Sequence, residues 1–301
     1  MIEFPGEDSV IEEIKEQCEE QFDYAKRCLQ LWLGIKKAPN KHFPDPVNQV
    51  VIGLNTKICR LYKTIIELCQ KGEAEGASII IRAMSEAVLA INFVLLPRFI
   101  PKEKVKGKIV RVKLPFGQRL TRQFRAKLFV AHILLSNNRL IDQIAETRGI
   151  RRLGKQLKKK SDVDVLKECE NIIGKDWLQR LTKYPFTYSG LNISNLSRSL
   201  GAERWYNTIY SIQSEHVHST DVDNYFIYND NQPWELRWHS EIKNISGELS
   251  IASAIFLMSL RIIHKYYDFG IAVNTALYAL EAERLEIEKS SSKPKRKKHV
   301  E

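Results

Sequence analysis

Four polar side chains recur at intervals of four in the segment "WYNTIYSIQSEHVHSTDVDN", residues 205–224: Tyr206, Tyr210, Ser214 and His218. Residues four apart share one face of an α-helix, so the spacing predicts a row of hydroxyls that ends in an imidazole. A second pair, Arg82 and Glu86, is also four apart and sits inside the apolar run "IIIRAMSEAVLA". Charges placed in such a helix need polar partners, because an unpaired charge taken out of water is costly. The economical expectation is that Arg82 and Glu86 face the row and form one buried or cleft-lining network. Its parts suit metal-independent phosphodiester chemistry: His218 moves a proton, Arg82 holds a phosphate and Glu86 orients the imidazole, with Tyr210 and Ser214 beside them. The competing expectation is architectural, with the same groups hydrogen-bonding across a helix contact and fixing its register.

Three other patterns carry chemistry of their own. His216, His218, Asp221 and Asp223 all bear metal donors, yet on a helix His216 and His218 point to nearly opposite sides. No metal and no cofactor are therefore assigned. Arg125 and His132 form an R-x6-H pair, a spacing used by HEPN ribonucleases, but one match of that kind is expected by chance in a chain of this composition. Here Ala126 follows the arginine, where those proteins usually carry a polar residue. The aromatics Trp177, Tyr184, Phe186, Tyr188, Tyr225, Phe226, Tyr228, Trp234 and Trp238 flank or occupy loops. They can stack on single-stranded bases, although core plugs and loop anchors are the commoner use.

The charge is local. Net charge is +11, but residues 98–127 hold eleven Lys/Arg against the single acid Glu103. Residues 148–160 hold seven against none, and residues 293–298 hold five against none. An acidic body with basic patches is the electrostatic footprint of a polyanion-binding protein, nucleic acid first. Arg119, Arg122, Arg151, Arg152, Lys155, Lys158, Lys159 and Lys160 are the expected nucleic-acid contacts, and solvated helix faces with spare lysines are the bland alternative. The five cysteines (Cys18, Cys28, Cys59, Cys69 and Cys169) are odd in number and include no CxxC, which points to reduced thiols. The acidic start of the chain lacks an apolar core segment, so no secretory leader is expected. Arg82 and Glu86 interrupt the most apolar window, 77–96, which therefore reads as a core helix and not a membrane span.

The elements that must position these residues are helices. Apolar steps of three and four mark 8–34, 47–69, 73–96, 118–148, about 163–181, a short helix before Gly201 with a longer one to about 219, and 239–288 with a bend at Gly270. The run "KIVRVKL" within 97–117 alternates as a strand would but has no obvious partner, and 220–238 reads as a polar and aromatic loop. The expectation is an all-α bundle of about seven helices with a basic, irregular insertion near 97–117. By segment it comprises an N-terminal helix and Pro-rich connection (1–46), a main helical domain (47–288) and a disordered basic tail (289–301).

Arg82-x3-Glu86 in an apolar helix, an isolated Trp177, then Gly201 and Tyr206-x3-Tyr210-x3-Ser214-x3-His218-Ser219 resemble the prokaryotic helical family catalogued as domain of unknown function 5677. The resemblance covers about residues 50–220. It implies companionship with mobile-element and phage-defence systems and a distant, fold-level likeness to HEPN domains. The basic insertion at 98–127 and the lysine-rich tail depart from the family pattern. Together these readings describe a cytoplasmic effector, toxin-like or antiviral, that binds or cleaves RNA, with a homo-oligomer compatible and no membrane partner. The rival is a non-enzymatic adaptor that docks a protein–nucleic acid complex.

Overall fold

The computed structural model describes residues 7–35, 45–112, 120–147, 160–183, 187–217, 226–229, 232–236, 242 and 244–291. Among them the chain is all-α apart from two short hairpins. In order, the elements are α1 (Glu7–Gln17), α2 (Glu19–Ile35), α3 (Pro46–Gln70), α4 (Ala74–Leu95), β1 (Lys102–Val105), β2 (Lys108–Arg111) and α5 (Arg122–Thr147). There follow α6 (Lys160–Ile173), α7 (Lys175–Thr182), α8 (Ile193–Ser199), α9 (Glu203–Val217), β3 (Phe226–Asn229), β4 (Gln232–Leu236), α10 (Ile245–Tyr267) and α11 (Ile271–Ser291).

Eleven helices stand among the described residues where apolar spacing predicts about seven, because continuous stripes are cut by local backbone. The stripe 8–34 is interrupted at Cys18, although Cys18 N–H still donates to Ile14 O and Phe22 N–H to Cys18 O. Gly174, at φ 80°, separates α6 from α7, and the final stripe is cut at Asp268 (φ 50°) and Gly270 (φ 88°). Two expectations are corrected. The insertion at 97–117 is not irregular throughout: β1 pairs antiparallel with β2 in the register Lys102↔Arg111 to Val105↔Lys108. The expected loop at 220–238 holds a second antiparallel hairpin, β3 with β4. In both, the partner strand is only a few residues away, and strands of four or five residues give too little alternation to stand out.

The chain forms two compact units, one of Met1–Asn40, Asn55–Val88 and Ile209–Glu301, the other of Lys41–Leu54 and Leu89–Thr208. In the first, α2, α10 and α11 pack on one another. The Tyr62 ring stacks on Phe256 at 4.3 Å between centroids, and its hydroxyl pairs with Ser253 Oγ at 2.7 Å. Tyr24 donates to the Leu280 carbonyl at 2.8 Å, so two buried tyrosines tie α2 to α11 and α3 to α10 with their polar ends satisfied. Cys28 and Cys69 lie in the same interior, where burial pushes both thiols up to about 12. All five cysteines are buried and outside any disulfide; such thiols are packing groups, not nucleophiles.

In the second unit α5 packs on α6 and α7, and α8 holds β1. The core gathers around Tyr188, whose ring lies 5.3 Å from Phe93, 5.0 Å from Phe129 and 6.1 Å from His132. Trp177 and Tyr188 are thus interior anchors, the commoner of the two uses open to aromatics next to loops. Of the other loop aromatics, Tyr184, Phe186, Tyr225 and Trp238 lie outside the described residues. Two helices, α4 and α10, are long and apolar enough to cross a membrane by length and composition. In each, most of the apolar window is buried within the protein, as in a core helix.

Candidate functional site

Of the expected network, Arg82 of α4 meets Tyr210 of α9. The Arg82 guanidinium lies over the Tyr210 ring, 4.3 Å from its centroid. Its Nε is 3.6 Å from Glu86 Oε1, the ion pair expected for an i, i+4 spacing. The correction concerns depth. The Arg82 side chain is 23% exposed and that of Glu86 45% exposed, so the network is half-open and not buried. Such a pair contributes little to stability, about 0.5 kcal/mol. The stacked cation adds about 0.5–1 kcal/mol, because water still competes for it. What the arrangement offers is a partly exposed guanidinium over an aromatic ring, with a carboxylate beside its Nε.

Further along the row, Tyr206 is buried at 2% exposure and Tyr210 is half-buried. The helix runs through Ser214 to Val217, so the four-residue period holds for the backbone that far. His218 and the donors Asp221 and Asp223 of the metal alternative lie outside the described residues. Among the described residues, no cluster of three or more His, Cys, Asp or Glu has metal-ligating geometry.

The R-x6-H pair has a different explanation. Arg125 is fully buried, and its guanidinium is spent on main-chain carbonyls. It donates to Leu120 O, to Leu96 O and, at 3.0 Å, to Val94 O. Arg122 Nε donates to Leu95 O at 2.9 Å. The last carbonyls of α4 have no partner within their own helix; two arginines from the first turn of α5 cap them and offset the negative end of the helix dipole. Burial, and secondly neighbouring Arg122, pull the Arg125 pKa down to about 10, which still leaves it charged at neutral pH. His132 Nδ1 lies 3.0 Å from Leu181 O, and burial holds its pKa below the usual histidine range against that bond. Both residues of the pair are thus engaged with main-chain carbonyls, with Arg125 Nε left buried and without a hydrogen-bond partner.

Of the expected nucleic-acid contacts, Arg122 is therefore partly engaged as a cap. Arg119, Arg151, Arg152, Lys155, Lys158 and Lys159 lie outside the described residues, and Lys160 begins α6. A cluster not singled out residue by residue in the sequence is the β1–β2 hairpin, with Lys102, Lys104, Lys106, Lys108 and Arg111. The signal available for it was the alternation of "KEKVKGKIVR" around Lys106-Gly107.

A cleft of about 390 Å³ in the first unit is lined by Gln21, Tyr24, Ser246, Ser250, Arg284 and Glu288 among others. Its charges are closed on themselves: Arg284 donates to Glu281 at 3.0 Å and to Glu288, which also accepts from Ser250. Burial works against the Arg284 charge, but its bonds to Glu281 and Glu288 outweigh it and hold the pKa above the usual arginine value.

Residues 48–233, more than half of the chain, match the family of unknown function DUF5677. No curated protein and no solved structure matches.

Proposed function

We infer that this chain, which belongs to the DUF5677 family, is an intracellular prokaryotic effector, of the antiviral-defence or toxin kind, that binds RNA with Arg82 as its phosphate contact. The observation that carries this reading is the half-open guanidinium over Tyr210, 4.3 Å from the ring. A stacked, partly dehydrated guanidinium keeps its planar fork in one orientation, which suits paired hydrogen bonds to phosphate oxygens. Glu86 steers the fork without burying it. In the sequence, Ser214 and His218 follow Tyr210 at intervals of four, and His218 is the residue assigned the proton transfer of cleavage.

A second reading, a non-enzymatic adaptor that docks a nucleoprotein complex, is favoured by the 3.6 Å Arg82–Glu86 ion pair, since a neutralised arginine can fasten two helices with no ligand at all. The two readings separate on fluorescence anisotropy with a short labelled single-stranded RNA. Arg82→Ala is expected to weaken binding by about tenfold, consistent with one charge-assisted contact of about 1.4 kcal/mol. Incubation of wild type and His218→Ala with the same RNA then scores cleavage on a gel. Unchanged affinity in Arg82→Ala sinks the RNA reading at this site.

A further inference from the structure

The β1–β2 hairpin carries more exposed charge than its fold requires. Its turn, Lys106-Gly107, has φ of 47° and 81°, the two positive values of a type I′ turn, which matches the twist of tight hairpins. A two-residue turn makes Val105↔Lys108 and Glu103↔Val110 the mutually hydrogen-bonded pairs, and Val112 N–H donating to Pro101 O at 3.0 Å continues that ladder. Lys102 and Lys104 must then direct their N–H groups away from β2. Both meet α8: Lys102 N–H donates to Ser199 Oγ at 2.8 Å and Lys104 N–H to Asn195 Oδ1 at 3.2 Å. Glu103 is held by Arg180 at 2.5 Å. The hairpin is thus a braced ribbon.

Alternation then sorts its side chains. Lys102, Lys104, Ile109 and Arg111 share one face; Glu103, Val105, Lys108 and Val110 share the other. The first face bears three cations and no acid. Among the described residues none of Lys102, Lys104, Lys106, Lys108 or Arg111 forms an ion pair; Glu103 pairs with Arg180 and Glu203 with Arg198, with Lys104 attracting Glu203 from further off. Ile109 is 59% exposed in the middle of the cationic face.

We propose that this face is a second RNA-binding surface, which takes the sugar–phosphate backbone of a single strand across Lys102, Lys104 and Arg111, with Ile109 against sugar or base. The inference rests on the RNA-binding reading but on none of the residues that carry it. Charge complementarity selects the occupant. The ribbon's short reach, about 10 Å at 3.4 Å per residue, suits a few nucleotides of single strand. A-form duplexes hide their deep, narrow groove from side chains.

Anisotropy with a labelled single-stranded RNA, across a salt series, compares two double variants of equal charge loss. Lys104→Gln/Arg111→Gln, on the proposed face, is expected to lose about tenfold in affinity and to reduce the slope of log K against log salt by about 1.4, at about 0.7 per lost phosphate contact. Lys106→Gln/Lys108→Gln, on the turn and the opposite face, is expected to stay within about threefold of wild type. Equal losses in both would mean diffuse attraction and overturn the proposal, as would no loss in either. Tighter binding of duplex DNA than of RNA through the same two residues would overturn the single-strand assignment. If Arg82→Ala abolishes binding while both doubles match wild type, this proposal falls and the Arg82 reading stands; the converse result leaves the ribbon and removes Arg82.

Discussion

Arg82 and Arg125 are both arginines on apolar helices, and they have opposite surroundings. Arg125 is enclosed and bonds three backbone carbonyls, two of them at the end of another helix. Arg82 lies on a ring and beside a carboxylate, with 23% of its side chain in solvent. A guanidinium has five N–H donors and no acceptor. Whether it is architecture or a candidate ligand site depends on how many of those donors the protein itself consumes. Main-chain carbonyls cannot be displaced by a ligand without undoing a helix end, whereas a half-exposed carboxylate can exchange its partner with a phosphate.

The comparison breaks most visibly at Arg125. Arg125→Ala leaves carbonyls of α4 unpartnered and a cavity behind, and is expected to destabilise the protein by about 3–5 kcal/mol. Urea denaturation followed by circular dichroism measures this. A loss below about 1 kcal/mol would show that the capping bonds are replaceable by water and would remove the contrast with Arg82.

Next in size is Gly190. It sits at φ +71°, and a Cβ there would meet Trp177 Nε1 at 2.8 Å. Gly190→Ala therefore adds both left-handed strain and a clash with a buried ring, for an expected cost of about 2–4 kcal/mol. Thermal melting with Trp177 fluorescence as a second readout tests it. Wild-type stability in this variant would mean that the Trp177 corner is loosely packed. Trp177, a residue that helped carry the family resemblance, would then need an explanation other than packing.

These residues show how much was legible in the sequence. The fold class was, because apolar steps of three and four are long-range regularities that survive a cut at Cys18 or Gly174. The meeting of Arg82 with Tyr210 was also legible, since both lie on faces set by the helical period. The depth of that meeting was not: periodicity gives direction around a helix axis, not how much of a neighbouring element covers the face, and Glu86 proved half-exposed. Nor was the use of Arg125, because a spacing of seven on one helix says nothing about the carbonyls at the end of another. The β1–β2 pairing was missed for a related reason, as Lys106-Gly107 puts at the first turn position a residue that usually avoids positive φ, where Asn or Asp would have signalled the turn.

A smaller effect is expected from pH at His132. His132 shares the core around Tyr188, and burial holds its pKa below the ordinary 6.5 despite its bond to Leu181 O. The unfolded chain therefore binds the proton more readily than the folded one. Stability from this group is complete above 6.5 and declines as the pH falls from 6.5 toward the folded value. Urea midpoints of wild type and His132→Asn between about pH 7.5 and 5 should diverge downward for wild type. Parallel curves would show that His132 is solvated enough to titrate normally.

The smallest stability effect is expected at Arg82, and that smallness is the point. Arg82→Ala removes one partly exposed cation–π contact and one ion pair to a half-exposed Glu86, together about 1–1.5 kcal/mol. The same substitution is expected to cost RNA affinity about tenfold, so the two readouts move by different amounts. Arg82→Lys refines this: it keeps the charge but not the planar fork, and should retain the salt dependence of binding while losing most of the affinity if bidentate phosphate contact matters. A stability loss of several kcal/mol in Arg82→Ala with RNA affinity intact would reverse the assignment and put Arg82 beside Arg125 as a fastening between helices.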